Sequence, residues 1–434
     1  MDTFLVDYKN FGVIKMKKYS LFKFCQTFKD TVESVDFLEQ SKKVNTAFTR
    51  NRKMPFCDII YFLYSSARKS LQHELEIYFK EKGSSCVSRQ AFSKARENIK
   101  PEAFRNLNDL LIDKFEQEDG AIETYRGYRL LSVDGTIIDL PNNNTIKETF
   151  GFSSNNSGST FCKALGMTAF DLLNRITIFA EMYRFDDSEK RRIIDIVDDF
   201  SEIEYYKKCI WILDRGYPSF DLLKTLESNQ QKYLIRVQSQ FLKEINEANL
   251  EDQVITITRQ KQTIKIRVVN IALGNGITEK LLTNLSEEFS LSELKELYAA
   301  RWNIETNYNF MKNKEMLECF TGETVTAVKQ DFYISILVLN AAAVAYREQE
   351  DVILKNDKNL KYTYKPNRTI LIADIKKNWV LLLLAKSPLN RIYKQFYLYT
   401  RIKRYSYADI PNRSFPRKLI GSHPQRRSHS KSAL

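Results

Sequence analysis

The stretch YRLLSVDGTIIDLP, residues 128–141, decides how the rest of the chain is read. Its apolar residues run through Leu130, Leu131 and Val133 almost without interruption, so both faces ask for burial, as in a central strand of a helix-covered sheet. The run then meets Asp134-Gly135, a turn dipeptide that predicts the end of the strand there. A second stretch, KCIWILDRGY (208–217), repeats the pattern: a buried strand running into Asp214-Arg215-Gly216. Between the two, ALGMTAFDLL and ITIFAEMYRF flank Asn174-Arg175 as the arms of a tight hairpin, and EKRRIIDIVDDF (189–200) reads as a helix. Beyond, PSFDLLKTLES starts a helix with Pro218 in its first turn, and KYLIRV (232–237) is a further strand. Strand, hairpin pair, helix, strand, helix, strand predicts an α/β fold, a mixed sheet flanked by helices.

Residues 238–284 read as short alternating strands, among them QVITITR and TIKIRVVNIAL, and predict a β-rich insertion. After it, Ser290 or Ser292 caps a helix carrying YAARWNIETNYNFMK (298–312), which holds no Gly or Pro and reads as one continuous segment. Tyr298, Arg301, Glu305 and Lys312 lie three, four and seven apart, which stacks them on one narrow stripe of a helix. Upstream, residues 1–120 show helical periods. CDIIYFLYSSARKSLQHELEIYF (57–79) reads as one amphipathic or buried helix. SSCVSRQAFSKARENIKPEAFRNLNDLLIDKF (84–115) reads as two helices broken at Pro101, the first capped by Ser88 and lined by Arg89, Lys94 and Arg96. Such a pair suits a helix-turn-helix DNA reader, and equally a bundle helix with a solvated basic face. Residues 351–434 read as a helical C-terminal region ending, from about 412, in a basic tail without acidic residues.

Lys and Arg outnumber Asp and Glu by 67 to 54, a formal charge of +13 that favours a polyanion such as nucleic acid. The six cysteines are scattered, with no CxxC pair and no nearby His, and so indicate neither zinc nor a disulfide framework. They suit reduced thiols in a cytoplasmic, nucleoid-associated protein. The apolar runs 332–346 and 379–385 are shorter than the roughly 20 residues of a membrane span, so no membrane partner is expected.

Carboxylates at neighbouring strand ends point into a crevice and repel each other unless cations sit between them. Asp134 and Asp214 occupy such positions, and Glu305 on its stripe supplies a third carboxylate. Three hard oxygen ligands suit Mg²⁺ or Mn²⁺, and two such ions roughly 4 Å apart support phosphodiester chemistry. Arg301 and Lys312 would neutralise phosphate beside Glu305, and Tyr298 would hydrogen-bond it or stack.

These residues also carry a resemblance. Tyr298, Arg301, Glu305 and Lys312 fill the pattern Y-x2-R-x3-E-x6-K, which resembles the signature of the insertion sequence 4 family of DDE transposases. VDGT around Asp134, LDRGY around Asp214, RW-x-IE, the later Phe320-x-Gly322, and SRQAFSKAR in the N-terminal region are similar to that family too. The resemblance runs from about residue 45 to 345. It implies an RNase H-like catalytic core, residues 121–237 and 285–350, interrupted by the β-rich insertion and preceded by a DNA-binding region at 1–120. It further implies Asp134, Asp214 and Glu305 as catalytic metal ligands for two Mg²⁺ or Mn²⁺ ions. Tyr298, Arg301 and Lys312, with Arg215 and the N-terminal Arg89, Lys94 and Arg96, would contact double-stranded DNA at the element's terminal repeats and the target. It implies a homodimer in a synaptic complex. A transposase-derived DNA-binding protein that no longer cuts, and a nuclease of the same fold, are the alternatives.

Overall fold

The computed structural model describes residues 20–118, 120–238, 241–259, 261–272, 278–356, 362–383, 404 and 406–409, so the basic tail from 412 lies outside the described residues. Helices come first: α1 (Leu21–Val32), α2 (Val35–Ser41), α3 (Phe56–Ser65), α4 (Leu71–Lys82), α5 (Arg89–Arg96) and α6 (Glu102–Glu116). Where one helix was expected over 57–79 there are two, α3 and α4. Arg68, between them, has φ +60° and is drawn inward to donate to the Leu317 and Asp331 carbonyls, so a long-range contact overrides the local helical period.

The core then runs β1 (Arg129–Asp139), α7 (Asn144–Phe150), β2 (Phe152–Ser154), β3 (Thr160–Asp171), β4 (Ile176–Arg184), α8 (Glu189–Ser201), β5 (Cys209–Leu213), α9 (Phe220–Ser228) and β6 (Lys232–Val237). Next come α10 (Lys243–Asn246), β7 (Asp252–Arg259), β8 (Gln262–Ala272), β9 (Thr278–Thr283), α11 (Leu291–Ala299), α12 (Trp302–Asn313) and α13 (Val325–Asn356). The short strands β10 (Thr363–Lys365) and β11 (Tyr407–Asp409) pair with each other, and α14 (Arg368–Leu383) lies between them in sequence.

β4, β3 and β1 pair antiparallel, while β1, β5 and β6 pair parallel. The spatial order β4-β3-β1-β5-β6, two hairpins followed by two parallel crossovers, is the RNase H-like arrangement, and the mixed α/β class expected from the sequence holds. β5, CIWIL, is buried at every position, as a parallel strand covered on both faces must be. The Asn174-Arg175 hairpin forms, with Arg175 at φ +58° and Asp171 accepting from the Asn174 N–H. α9 begins at Phe220, two residues after Pro218, because Ser219 accepts from the Leu222 N–H and caps it.

β7, β8 and β9 extend the same sheet, joined antiparallel to β6 through β9. The β-rich segment therefore continues the sheet instead of standing beside it. α13 is long and apolar enough to cross a membrane, yet 94% of its apolar window is buried in protein, against α1, α3, α6, β4 and α14. It extends beyond both ends of the expected apolar run, and its flanking polar residues Gln330, Asp331, Arg347 and Glu348 are buried as well.

Candidate active site

Asp134 does not end its strand. β1 continues to Asp139 because its antiparallel partner β3 keeps pairing, out to Asp139 opposite Lys163. What ends is the parallel partner: β5 faces only Arg129–Leu131, so the carboxylate of Asp134 emerges beyond the carboxyl end of β5. Asp214 is the residue immediately after β5. The two aspartates thus meet at the strand-end crevice the sequence pointed to, though Asp134 reaches it from mid-strand.

The third acidic motif also differs locally. The segment 298–312 is two helices. At the junction the chain tightens to i→i−3 hydrogen bonds, Arg301 N to the Tyr298 carbonyl at 3.1 Å and Ile304 N to the Arg301 carbonyl at 3.0 Å. Such a turn advances each residue by about 120° instead of 100° and re-aims α12 relative to α11. No Gly or Pro marks the break. Ser290 caps α11 in a full capping box with Glu293.

Despite the break, the stripe faces the crevice. Tyr298 donates its hydroxyl to Asp214 Oδ1 at 3.1 Å, from the end of α11. Arg301, 5% exposed, donates from Nη2 to Glu305 Oε1 at 2.6 Å, lies near the rings of Tyr298 and Trp302, and acts electrostatically on Asp134 and Asp214. Lys312, at the far end of α12, donates to the Ile137 carbonyl of β1 and pairs with Glu318 at 3.6 Å. Tyr308 donates to the Asp134 carbonyl at 2.5 Å and accepts from the Thr168 hydroxyl, tying α12 to β1 and β3. Asp214, Glu305 and Asp134 therefore surround one guanidinium.

Burial pushes the Asp134 carboxyl up to about 6, and the nearby Glu189 charge adds to this. The Gly135 N–H, Arg301 and the Tyr217 hydroxyl pull the other way. Burial and the Asp214 charge push the Tyr298 hydroxyl up to about 12, so it stays a donor at neutral pH.

Sequence reasoning missed Glu189, Tyr217 and Tyr308. Glu189 read only as the start of a helix, and the two tyrosines are ordinary core letters in isolation; no local pattern marked them. Of the residues expected to touch DNA, Arg89, Lys94 and Arg215 are exposed. Arg96 is not. It is 1% exposed, and its guanidinium donates to Gln330 at 2.8 Å, Thr321 at 2.6 Å, the Ala327 carbonyl and Asp331 at 3.0 Å. It anchors α5 to α13, and its burial keeps it from a phosphate on the surface. Arg301 is buried too, and it donates to Glu305 from Nη2 while its Nε has no partner. Lys94 borders a groove of about 860 Å³ that Arg50 and Arg52 also line, two cations the sequence reading passed over.

Residues 125–341, half of the chain, match the transposase DDE domain family, and the chain belongs to that family. No curated protein matches it. Among solved structures it is similar to a piggyBac transposase synaptic complex with hairpin DNA, at 11% identity and a TM-score of 0.48, covering 91% of this chain and 86% of that one.

The family implies divalent metal ions. The donor chemistry fits: carboxylate oxygens are the ligands hard cations take, and beside Asp134 the Glu189 carboxylate lies against Gly135, where a Cβ would come within 2.7 Å of its Cδ. The carboxylates are not drawn into one coordinating group. Among the described residues no three acidic, His or Cys side chains are gathered closely enough to hold an ion, and Arg301 occupies Glu305.

Proposed function

We propose that this chain is the DNA transposase of an insertion sequence of the type its Tyr298-Arg301-Glu305-Lys312 pattern resembles. It cuts at the terminal inverted repeats of its own element and joins the freed 3′ ends to target DNA. The observation that carries this is the meeting of Asp134, Asp214 and Glu305 around Arg301, within a domain of the DDE family. Mg²⁺ or Mn²⁺, two ions held by Asp134, Asp214 and Glu305, would supply an activated attacking oxygen and charge stabilisation at the leaving one.

The protein's own groups prepare that chemistry. Tyr298 orients Asp214 through its hydroxyl. Tyr308 fixes the backbone of Asp134. Lys312, pinned to β1 at the edge of the crevice, places a cation where a phosphate backbone would pass. Arg301 neutralises Glu305 until a DNA phosphate competes for its guanidinium. Arg89, Lys94 and Arg215, with Arg50 and Arg52 beside the groove, form the exposed basic surface for the repeat and the target, and two copies act together in a synaptic complex.

The test is cleavage of a labelled duplex carrying the element's terminal repeat, in Mg²⁺ or Mn²⁺, beside Asp214→Ala. Metal-dependent nicks at the repeat boundary, joined products in the same lanes and loss of both in the variant are expected. Nicks without joining would make it a nuclease, and binding without any cut would overturn the catalytic reading.

A further inference from the structure

The nine-stranded sheet ends in β7, which among the described residues pairs with β8 alone. An edge strand presents a row of unpaired N–H and C=O groups, and proteins ordinarily blunt it with proline, lysine, a bulge or short length. β7 carries none of these. It runs eight residues, DQVITITR, against the usual length of about five or six, with no Pro, Lys or Gly. Its register with β8 is unbroken from Asp252 opposite Val269 to Arg259 opposite Gln262. The other end of the sheet differs: there the pairing of β4 with β3 is interrupted by a bulge at Ala169–Phe170.

The alternation of an antiparallel ladder fixes which backbone groups are free. The Asn270 N–H donates to the Glu251 carbonyl at 2.8 Å, so these two form a hydrogen-bonded pair. Counting on by two, Gln253, Ile255, Ile257 and Arg259 turn their backbone groups toward β8. Asp252, Val254, Thr256 and Thr258 turn theirs to the open edge, where the Thr258 carbonyl accepts from the Arg259 guanidinium. The side chains of these four are exposed, Val254 at 59%, while Ile255 is half-buried against the core. Charge runs along the strand from Glu251 and Asp252 at its start to Arg259 at its end. Asp252 is taken by Arg267 on its own chain. Arg259 meets Glu244 with 41% of its side chain still exposed, and Glu251 is exposed.

We propose that β7 is a contact between two copies of this chain, which join their sheets antiparallel about a two-fold axis at Ile255. The strand is its own complement in that register. Ile255 faces Ile255 of the second copy, Val254 faces its Thr256, Asp252 its Thr258, and Glu251 its Arg259. The residues that exchange hydrogen bonds across the axis are Asp252, Val254, Thr256 and Thr258, whose backbone groups point to the open edge. A slip of one residue turns each side chain to the wrong face, and a slip of two takes Glu251 away from Arg259. A contact of one strand edge belongs to the class of interfaces below about 1,200 Å², so the pair is reversible. It gives the two copies of the proposed synaptic complex a meeting place in the β-rich segment. It does not rest on the catalytic reading, since it needs neither DNA nor metal.

The test is sedimentation velocity of the full-length chain without DNA, over a concentration series, together with oxidative cross-linking at introduced cysteines. Wild type should show a concentration-dependent equilibrium of monomer and dimer. Thr256→Pro should raise the dissociation constant tenfold or more and spare the chain's own ladder, because that N–H points away from β8. Val254→Lys, which sets like charges across the axis and keeps every backbone donor, should do the same, so the result does not hang on a proline that fails to fold. Ile255→Cys should give a covalent dimer on oxidation, measured against the wild-type chain with its six free cysteines, whereas Gln253→Cys, which faces Ile257, should not. A wild type that stays monomeric at every concentration leaves the edge to some other partner and overturns the proposal. So does a dimer that both Thr256→Pro and Val254→Lys leave intact, and so does a covalent dimer from Gln253→Cys in place of Ile255→Cys. Each of these failures leaves the crevice as it stands, and failure of the repeat-cleavage assay leaves the pairing of β7 as it stands.

Discussion

Two clusters of charge in this molecule treat their ions in opposite ways. Between the N-terminal helices and α13, Arg68, Arg96 and Lys376 meet Asp331 and Glu315, with Glu74 joined through Ser66. That cluster is sealed and balanced. Burial alone would raise Asp331, but Arg96, Arg68 and Thr321 together hold its carboxyl below the usual range. In the crevice, Arg301 donates to Glu305, its charge also acts on Asp134 and Asp214, and its Nε has no partner. The sealed cluster pairs its charges within itself, whereas in the crevice burial holds Asp134 above the usual carboxylate range, with the Glu189 charge adding to it.

The contrast is broken most directly at Glu305. Glu305→Gln and Asp214→Asn should each lower repeat cleavage by about 10³-fold or more, equivalent to roughly 4 kcal/mol of barrier, while duplex binding in a gel-shift assay stays within a few-fold. Equal cleavage by either variant would place the crevice among the structural clusters.

Arg96→Ala tests the other side. Leaving Asp331 buried and unpaired should cost about 3–5 kcal/mol in urea unfolding. Arg89→Ala and Lys94→Ala, on the exposed side of α5, should move stability by less than about 0.5 kcal/mol while weakening DNA binding and flattening its salt dependence. A stable Arg96→Ala that binds DNA poorly would restore that residue to the DNA surface.

Asp134→Asn should stabilise the metal-free protein while abolishing cleavage. Its carboxyl is raised in the folded state, so ionisation there opposes folding. The gain, at most about 3 kcal/mol from a rise of roughly two pH units, should be complete above about pH 6 and vanish below about pH 4, where the group is protonated folded and unfolded alike. Melting curves across that range in EDTA check it.

The smallest effect is expected at Glu293. Its carboxyl is held down at about 2 by the Tyr125 hydroxyl and the Ser290 N–H and hydroxyl, with Arg126 adding to them. A lowered carboxyl contributes stability above its unfolded value and loses it as pH falls toward 2. Glu293→Ala should therefore lower the thermal midpoint more at about pH 6 than at about pH 2.5. An equal drop at both would mean that the capping box acts without its charge.

Much of the core was legible because its signals are local. The expected strand KYLIRV is β6 to the residue, CIWIL falls inside the second stretch, and the stripe of Tyr298, Arg301, Glu305 and Lys312 does turn to the strand ends. What escaped is set by distant partners. Arg96 looked like a surface cation because its ligands lie more than 220 residues away. Asp134 looked like a strand end because an Asp-Gly pair is usually a turn, and only pairing with β3 carries the strand through it. The break near Ala300 has no letter of its own, and Glu189 acquires meaning only when Gly135 is opposite it.

The sealed cluster also has a consequence for how the chain is born. Arg96 leaves the ribosome 235 residues before Asp331, the carboxylate it must meet. At roughly 5–20 residues per second the arginine waits about 12–47 s for its counter-ion. During that interval α5 cannot dock on a helix that has not yet been translated. The amino-terminal helices complete their burial late in synthesis, and the nascent chain spends most of its translation with their inner faces available to chaperones.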